Sequence, residues 1–297
     1  MNGIIIVDKP AGYTSFDVIA KLRGILGERR LGHGGTLDPM ATGVLPVFAG
    51  NATKAVDFLP DETKRYTATV RLGILTDTGD ITGTITEKSD KNCTLQELEC
   101  ALCSFVGAQK QVPPMYSAIK KDGKRLYELA RKGKTVEREP RNIEITELRL
   151  VDFDESVREF AIDVLCSKGT YIRTLAEDIA ASMGLVAALC ALRRTMSAGF
   201  SETDAFSIKE IEQLSRAGEL GKALAGVESA FLSLRAAILP ADLARLFING
   251  FAFETLRLPV KVGDGERVRV RDTEGNFLGL GESDENRFKK IRQFWFG

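Results

Sequence analysis

The chain has 297 residues, of which 44% are hydrophobic and 28% are charged, which is the composition of an ordinary globular protein. Lysine and arginine together number 41, as do aspartate and glutamate, so the net charge favours no class of partner and any nucleic-acid surface must be local. The sequence has no apolar run of about 18 residues and no signal-peptide pattern, so we expect a cytoplasmic protein without a membrane span.

The predicted elements begin with a strand and end with a small β-rich tail. A continuous apolar run at 4–7 predicts a buried strand, which ends at the Lys-Pro-Ala-Gly sequence of 9–12. Alternating apolar and polar residues predict antiparallel strands at 66–72, 81–86, 143–153 and 159–166. Helical spacing predicts helices that begin at or near Ser15, Thr94, Thr170 and Ser207. After a boundary between about residues 215 and 240, short strands are predicted at 260–270 and 276–281.

Residues 115–141 are strongly basic within a neutral chain. They carry nine lysines and arginines against four acidic residues, and Tyr116 and Tyr127 lie among them. Apolar residues at 126, 129 and 130 have helical spacing, so one interpretation is a solvated amphipathic helix. The other is an RNA clamp, because basic side chains interleaved with aromatic ones suit phosphate contact and base stacking.

Several short patterns resemble known sites but lack the partners that the chemistry needs. Cys100 and Cys103 are spaced like metal ligands, but no second pair follows, so we expect the five cysteines to be buried, reduced thiols and no metal to be bound. The Asp-Thr-Gly triplet at 77–79 resembles an aspartic-protease motif, for which only a homodimer would supply the second carboxylate, and a hairpin turn is favoured. Residues 218–222 lack the P-loop spacing, and no serine-hydrolase G-x-S-x-G elbow occurs.

The segment 30–45 is the most informative part of the sequence. It contains His33, the only histidine of the chain, five residues before Asp38, together with four glycines that permit close backbone approaches. Two interpretations are open. The segment is either a glycine-rich turn whose aspartate caps a helix, or a catalytic loop, since catalytic side chains often lie on loops held by a rigid scaffold.

The whole segment closely resembles the motif of the TruB family of tRNA pseudouridine synthases, in which the aspartate of this loop is the nucleophile. Further segments resemble the family's motifs in the same order, at 9–12, 64–66, 166–175 and 192–195. Residues 115–120 resemble the start of the family's RNA-gripping insertion, and the tail from about Leu239 to Trp295 resembles its PUA-like domain more weakly. One departure is Gly34, where the family usually has a hydroxyl residue.

The resemblance implies a role for each matched residue. Asp38 is the expected nucleophile, Arg173 its ion-pair partner, and Tyr66 the ring that stacks on the target base and acts as the base in proton transfer. The alternatives are a helix-surface ion pair for Arg173 and a core aromatic for Tyr66. The expected substrate contacts are His33, Leu192, Lys9, Lys64 and Tyr171. The expected RNA contacts are Lys120, Lys121, Lys124 and Arg125.

His33 either fills the space that a flipped base leaves or merely braces the loop. The resemblance gives it no role as an acid or a base. An isomerisation needs no redox step, group donor or Lewis acid, so no cofactor and no metal are expected.

The sequence as a whole predicts an α+β pseudouridine synthase fold with a mixed, largely antiparallel sheet flanked by helices. The catalytic domain is expected at 1–232, with the basic insertion at about 113–142, and a PUA-like RNA-binding β domain at 233–297. By resemblance, the protein isomerises uridine 55 in the T-loop of tRNA, as a monomer that binds the T-arm and needs neither a membrane nor an obligatory protein partner. Two alternatives are a non-catalytic RNA-binding protein on the same scaffold and the guide-RNA-dependent branch that works within a ribonucleoprotein.

Overall fold

The computed structural model describes residues 1–60 and 63–294. The α-helices of this part of the chain are α1 (Ser15–Leu26), α2 (Leu95–Ser104), α3 (Leu126–Ala130), α4 (Ile172–Ser182), α5 (Ile208–Arg216) and α6 (Ala241–Ile248). Its 3-10 helices are Gly50–Phe58, Glu202–Asp204, Leu220–Ala223, Val227–Phe231 and Thr255–Arg257. Among the described helices, none has the length and apolar character needed to cross a membrane.

The described strands form one large sheet, one smaller sheet and two short hairpins. In chain order they are β1 (Gly3–Lys9), β2 (Leu31–His33), β3 (Thr42–Ala49), β4 (Lys64–Leu72), β5 (Ile74–Thr76), β6 (Ile85–Lys88), β7 (Gly107–Gln111), β8 (Lys120–Lys121), β9 (Lys124–Arg125), β10 (Arg141–Asp154), β11 (Glu159–Cys166), β12 (Ala187–Ser197), β13 (Phe200–Ser201), β14 (Phe206–Ser207), β15 (Ala236–Leu239), β16 (Phe253–Glu254), β17 (Arg267–Asp272), β18 (Phe277–Asp284) and β19 (Arg287–Gln293).

The large sheet has the strand order β14-β1-β3-β12-β4-β11-β10-β7, with β2 joined to β3 and β13 joined to β12. The pairs β1–β14 and β3–β12 are parallel, and the other pairs are antiparallel. The apolar faces of α1, α2, α4 and α5 cover one side of this sheet and form the main core. The fold is therefore α+β with a mixed, largely antiparallel sheet, as predicted from the sequence.

The parallel contact of β3 with β12 places Arg194 beside the glycine-rich loop. In this pair Arg193 lies beside Thr42, and Arg194 lies beside Gly43. Gly43 has a φ of 98°, and a Cβ at this position would overlap the carbonyl oxygen of Arg194. Only glycine allows the two backbones to meet so closely, and their approach brings Arg194 to the end of the glycine-rich loop.

Local sequence signals set the helix boundaries. Thr14 and Asp17 form a capping box at the start of α1, and Gly27, in the left-handed region at φ 63°, ends it. Thr94 and Ser207 cap α2 and α5 with capping boxes of the same kind. These caps confirm the starts that were predicted for the three helices.

Several elements differ from the sequence prediction, and two of them lie between residues 77 and 130. The strand predicted at 81–86 begins only at Ile85, because residues 77–84 form the loop of the β5–β6 hairpin. The basic segment is not a long amphipathic helix, since it contains the β8–β9 hairpin and the five-residue α3. Asp122 and Gly123 have φ values of 51° and 77°, which turn the chain tightly where a longer helix would have to pass.

The five cysteines are free thiols, but the expectation that all are buried is wrong. Cys93 and Cys166 are buried and Cys190 is half-buried. Cys100 and Cys103 are exposed, because α2 presents Leu98 and Leu102 to the core and turns its cysteines away. The described residues contain no group of side chains arranged to hold a metal ion.

The smaller sheet has the order β15-β17-β18-β19-β16 and is antiparallel except for the β15–β17 pair. With α6 it encloses a core of its own, whose largest buried members are Leu243, Phe247, Phe253, Leu278 and Phe288. The strand predicted at 260–270 begins only at Arg267, and β19 was not predicted. The expected boundary after residue 232 stays a prediction, and Trp295 lies outside the described residues.

A further apolar cluster, which we call the shared core, joins the two sheets. Its buried members are Ile4, Ile6, Val44, Phe48, Ala52, Ala55, Ala198, Phe200, Ala230, Phe231 and Leu280. The rings of Phe231, Phe277 and Phe294 extend it, with centroids 5.6–6.0 Å apart. The guanidinium of Arg292 lies 5.0 Å from the ring centroid of Phe58 at its edge.

Candidate active site

The glycine-rich loop is fixed to the start of α1. The Leu37 amide donates to Ser15 Oγ at 2.8 Å, and the Ser15 hydroxyl donates back to the Leu37 carbonyl at 3.3 Å. The Gly12 amide donates to the Pro39 carbonyl at 2.8 Å. Asp38 lies between these anchors with 35% of its side chain exposed. The loop therefore presents one carboxylate to solvent from a backbone that is held on both sides.

Arg173 holds the Asp38 carboxylate and is itself almost completely buried, with 4% of its side chain exposed. It lies in the first turn of α4, where its Nε is 2.9 Å from Asp38 Oδ2. Its Nη1 donates to the Thr78 carbonyl at 2.7 Å, and its Nη2 donates to the Tyr116 carbonyl at 2.8 Å. The guanidinium therefore fixes the carboxylate and ties the β5–β6 loop and the basic insertion to it.

The environment of Asp38 combines opposing influences. Burial in the surrounding protein raises the pKa of the Asp38 carboxyl, although its side chain is partly exposed. The Arg173 guanidinium opposes this rise, the nearby Asp80 carboxylate adds to it, and the Lys9 ammonium lowers the pKa again. Burial outweighs the cations, so the pKa of the Asp38 carboxyl lies above its ordinary value, and Arg173 and Lys9 limit this rise by favouring the charged form that a nucleophile requires.

Lys9 is completely buried, although the sequence predicted a substrate contact. Its Nζ donates to the carbonyls of Pro10, Tyr13 and Pro39 at 3.0, 2.6 and 3.3 Å. Burial lowers the pKa of Lys9 to about 8, and the Asp38 carboxylate opposes that change. The ammonium is enclosed by backbone and holds the loop beside Asp38, and a direct contact of Lys9 with the substrate stays a prediction.

Arg194 belongs to the site and was missed by the sequence analysis. It is completely buried, and its guanidinium donates to the carbonyls of Gly35, Thr36 and Val44 at 3.1, 3.4 and 2.8 Å. Successive side chains of a strand point to opposite faces, so one of two consecutive arginines on β12 had to point inward. Arg193 points outward to Asp8 and Glu202, and Arg194 fills the inward position.

Tyr66 is buried on β4 and lies opposite Arg194 in the pairing with β12. Burial raises the pKa of Tyr66 to about 12, with Arg194 opposing the rise. The phenol therefore keeps its proton at neutral pH, which suits ring stacking better than a resting role as a base.

Leu192, also buried, lies on the same strand as Arg194, two residues before it. Lys64 lies beside the loop, with its Cε 3.5 Å from where a Cβ on Gly35 would lie.

His33 ends β2 and is half-buried at the entrance to the loop. Among the described residues its Nδ1 is buried without a hydrogen-bond partner. Burial and the nearby Arg194 charge lower the pKa of His33, so the ring is neutral at pH 7.

Tyr171, half-buried before α4, exchanges backbone hydrogen bonds of 2.8 and 3.1 Å with the side chain of Gln111. Both aromatic side chains lie on elements that also position Asp38 and Arg173.

The basic residues expected to contact RNA lie in the β8–β9 hairpin, away from Asp38. They are Lys120, Lys121, Lys124 and Arg125, and all four are exposed. The Lys121 ammonium donates to the Glu137 carbonyl at 2.6 Å, and Arg125 Nη1 donates to the Tyr127 hydroxyl at 2.9 Å. The site thus has two parts, which are a carboxylate among buried cations and a separate basic surface. The bond from Arg173 to the Tyr116 carbonyl links the two parts.

The chain is similar to known proteins over nearly its whole length. Residues 23–172 match the model of the TruB family pseudouridylate synthase N-terminal domain, and residues 173–244 match the tRNA pseudouridylate synthase B C-terminal domain. The chain is 40% identical over 281 residues to tRNA pseudouridine synthase B of Clostridium novyi, which covers 95% of each chain. It is 39% identical over 292 residues to the protein of the same name from Pseudomonas fluorescens, which covers 96% of this chain and 93% of that one.

Among solved structures, the chain resembles one from a crystal structure of a Cbf5–Nop10–Gar1 complex. The TM-score is 0.77 at 23% identity, covering 99% of this chain and 84% of the other. A second match, from a structure of an H/ACA ribonucleoprotein bound to a substrate RNA containing 2′-deoxyuridine, has a TM-score of 0.77 at 21% identity. At this level of identity the likeness shows a common fold.

Proposed function

This chain belongs to the TruB family of pseudouridylate synthases, and on that premise we propose that it isomerises uridine 55 in the T-loop of tRNA to pseudouridine. The protein is an isomerase, since the family converts uridine to pseudouridine. The observation that carries the proposal is the carboxylate of Asp38, held 2.9 Å from a buried guanidinium on a loop that matches the family's catalytic motif. The curated relatives at about 40% identity are named for tRNA, which supports tRNA as the substrate.

The proposed reaction breaks the bond between the sugar C1′ and N1 of the base, rotates the base and forms a bond from C1′ to C5. The proton on C5 is lost and N1 gains one, so atoms and electrons balance without a cofactor. Asp38 acts as the nucleophile, by attack on the sugar or on the base, and both routes use the same carboxylate. Arg173 keeps that carboxylate ionised and oriented, because a guanidinium at this distance favours the charged form.

The target uridine must leave the folded RNA loop before it can reach Asp38, at a cost of about a few kcal/mol. In our proposal Tyr66 stacks on the flipped ring and Leu192 contributes apolar surface to the pocket. The neutral ring of His33 fills the space that the base vacates or braces the loop, and takes no part as an acid or a base. Lys64 and Tyr171 line the approach to the carboxylate.

The exposed basic hairpin of residues 120–125 is proposed to grip the T-arm through its phosphates. With its own RNA-binding insertion, the protein is proposed to act in the cytoplasm as a monomer without a guide RNA or an obligatory protein partner. Activity of the purified protein on a bare tRNA transcript would separate this proposal from the guide-RNA-dependent alternative, which requires added RNA and proteins.

The substitution Asp38→Asn tests the proposed function. It keeps the size of the side chain and removes the nucleophile, so we expect the release of tritium from tRNA labelled at uridine C5 to fall to background while tRNA binding stays within about threefold. Asp152→Asn, which changes an exposed aspartate on β10, is the matched control and should leave the rate unchanged. Turnover by Asp38→Asn above background would contradict the role of Asp38. A pseudouridine map of the treated tRNA without position 55 would contradict the assigned target.

A further inference from the structure

Phe48 connects the shared core to the candidate active site. It lies on β3 with no exposed surface and belongs to the cluster to which the smaller sheet contributes Leu280 and Phe277. On the same strand, Phe48 lies opposite Gly32 in the pairing with β2, one residue before His33. The strand that carries the core aromatic is therefore the one that supports the start of the glycine-rich loop.

The Phe48 ring touches the loop at Gly34. A Cβ placed on Gly34 would lie 3.1 Å from Phe48 Cε2 and 3.6 Å from Leu59 Cδ1. The φ of Gly34 is outside the left-handed region, so its backbone conformation is open to any residue. Space, and not conformation, is the constraint here, because a Cβ on Gly34 would press on the Phe48 ring, which would have to shift by a few tenths of an ångström.

The rest of the loop is held by hydrogen bonds. Arg194 binds the carbonyls of Gly35 and Thr36, and Ser15 binds Leu37. At Gly34 the only described backbone bond is from its amide to the Pro46 carbonyl, at 2.9 Å. Beside this bond, the side chains of Phe48 and Leu59 lie next to Gly34 at the point where the chain leaves β2 for Asp38.

We propose that Phe48 is a positioning residue for the proposed reaction, with its ring bracing the loop that carries His33 and Asp38 against the shared core. The inference rests on the proposed function and adds the means by which the loop is held in place. A close-packed core resists displacement, so an aromatic ring anchored there fixes the loop more rigidly than a solvated side chain would. A displacement of the nucleophile by about 1 Å costs up to about 100-fold in rate, so weaker packing of Phe48 against the loop should lower kcat measurably.

Phe48→Leu tests the brace with a short T-arm hairpin as the substrate. We expect kcat to fall about tenfold and KM to stay within about twofold, because the variant changes the position of Asp38 and not the RNA-binding surface. Phe288→Leu is the matched control, since Phe288 is equally buried but lies in the separate core of the smaller sheet. It should lose comparable stability and keep the wild-type kcat. Equal losses of kcat in both variants, or none in Phe48→Leu, would overturn the proposal.

Gly34→Ala provides a second variant that leaves the core residue intact. Alone, its methyl group presses on Phe48 and should also lower kcat about tenfold. Combined with Phe48→Leu, the methyl group occupies space that the smaller side chain frees, so the double variant should be no slower than the slower single variant. A multiplicative loss of about 100-fold in the double variant would show two independent effects and would overturn the coupling.

Hydrogen exchange of the RNA-free protein tests the brace independently of the reaction. The amides of Gly34, Leu37 and Ala41 hold the loop by donating to the Pro46 carbonyl, Ser15 Oγ and the Asp38 carbonyl. We expect their exchange to speed up about tenfold in Phe48→Leu and to stay unchanged in Phe288→Leu. Unchanged exchange in Phe48→Leu would contradict the brace even if kcat fell. If the wild-type protein formed no pseudouridine, the proposed function would fail, while this measurement would still decide whether Phe48 holds the loop.

Discussion

At the scale of single residues, the site is defined by buried cations. Lys9, Arg173 and Arg194 are almost completely enclosed, and all three donate mainly to backbone carbonyls. A buried charge is costly unless hydrogen bonds replace its hydration, and eight described bonds to carbonyls do so here. The positive charges of Lys9 and Arg173 are therefore fixed beside Asp38 before any RNA arrives, as electrostatic preorganisation requires, while Arg194 holds the loop that carries Asp38.

Glu177 is a titratable group near this cluster that the proposed reaction does not use. It is half-buried on α4, one turn after Arg173, with its Oε1 close to Gly79. Burial, aided by the charge of Asp178, raises the pKa of Glu177 to about 7, while Arg173 and Arg138 oppose the rise. The folded protein thus holds this proton more tightly than the unfolded chain. Its contribution to the free energy of unfolding therefore decreases as the pH rises from 4.5 to about 7.

Glu177→Gln should consequently be more stable than wild type at about pH 8, by about 1–2 kcal/mol when the partial exposure of the group is allowed for. At about pH 4 the two proteins should be equally stable, because the carboxyl is then protonated in both states. Urea unfolding at the two pH values measures the difference. Glu99→Gln, which changes an exposed glutamate on α2, serves as the control. A wild type that matched or exceeded the variant in stability at about pH 8 would contradict the prediction.

At the scale of elements, features set by neighbouring residues could be predicted from the sequence, whereas features set by contacts between distant segments could not. The starts of α1, α2 and α5 follow from capping boxes that span four residues, so sequence alone was sufficient. The order of strands in the large sheet depends on pairings between distant segments, such as Val7 with Phe206, which no local pattern encodes. For the same reason, the motif around Asp38 could be identified from the sequence, whereas the enclosure of Lys9 by backbone could not.

The proposed contact of the basic hairpin with tRNA phosphates can be tested by substitution. Replacing Lys120, Lys121, Lys124 and Arg125 by glutamine should weaken tRNA binding by about 10- to 100-fold and reduce the slope of log K against log salt by about one for each lost phosphate contact. Filter binding of tRNA across a range of salt concentrations measures both quantities. A control variant changes four exposed lysines on other elements, namely Lys88, Lys91, Lys209 and Lys222. An unchanged salt slope in the hairpin variant would place the RNA-binding surface elsewhere.

At the scale of the whole molecule, the two sheets are not independent. The shared core takes side chains from β1 and β3 of the large sheet and from β18 of the smaller one, and Phe231 of the 3-10 helix Val227–Phe231 packs its ring against Phe277 and Phe294. The sequence predicted a separate β-rich tail because composition and turn signals report only local structure. They contain no information on which outward-facing apolar residues of the tail will be covered by another part of the chain.

Two sheets that share a core should unfold together. We expect one cooperative transition in urea, with the same midpoint for amides of β11 and of β17 followed by hydrogen exchange. Leu280→Ala, which removes a buried side chain from the shared core, should shift both midpoints together by an amount equivalent to about 2–5 kcal/mol. Leu243→Ala removes a side chain of the same size from the separate core of the smaller sheet, and it serves as the comparison variant. Two separate transitions in the wild type would contradict a common cooperative unit.

The position of β1 in the large sheet has a consequence for folding during synthesis on the ribosome. One edge of this strand pairs early with β3, but the other waits for β14 and for Ala225, which bonds to Ile4, about 200 residues later in the sequence. At about 5–20 residues per second, the second partner is synthesised on the order of 10–40 seconds after the first strand emerges. During that interval a continuous run of isoleucine and valine keeps an open strand edge, which is the feature that chaperones and aggregating neighbours both recognise. Synthesis of β14 and of Ala225 therefore also ends the period in which the nascent chain needs protection.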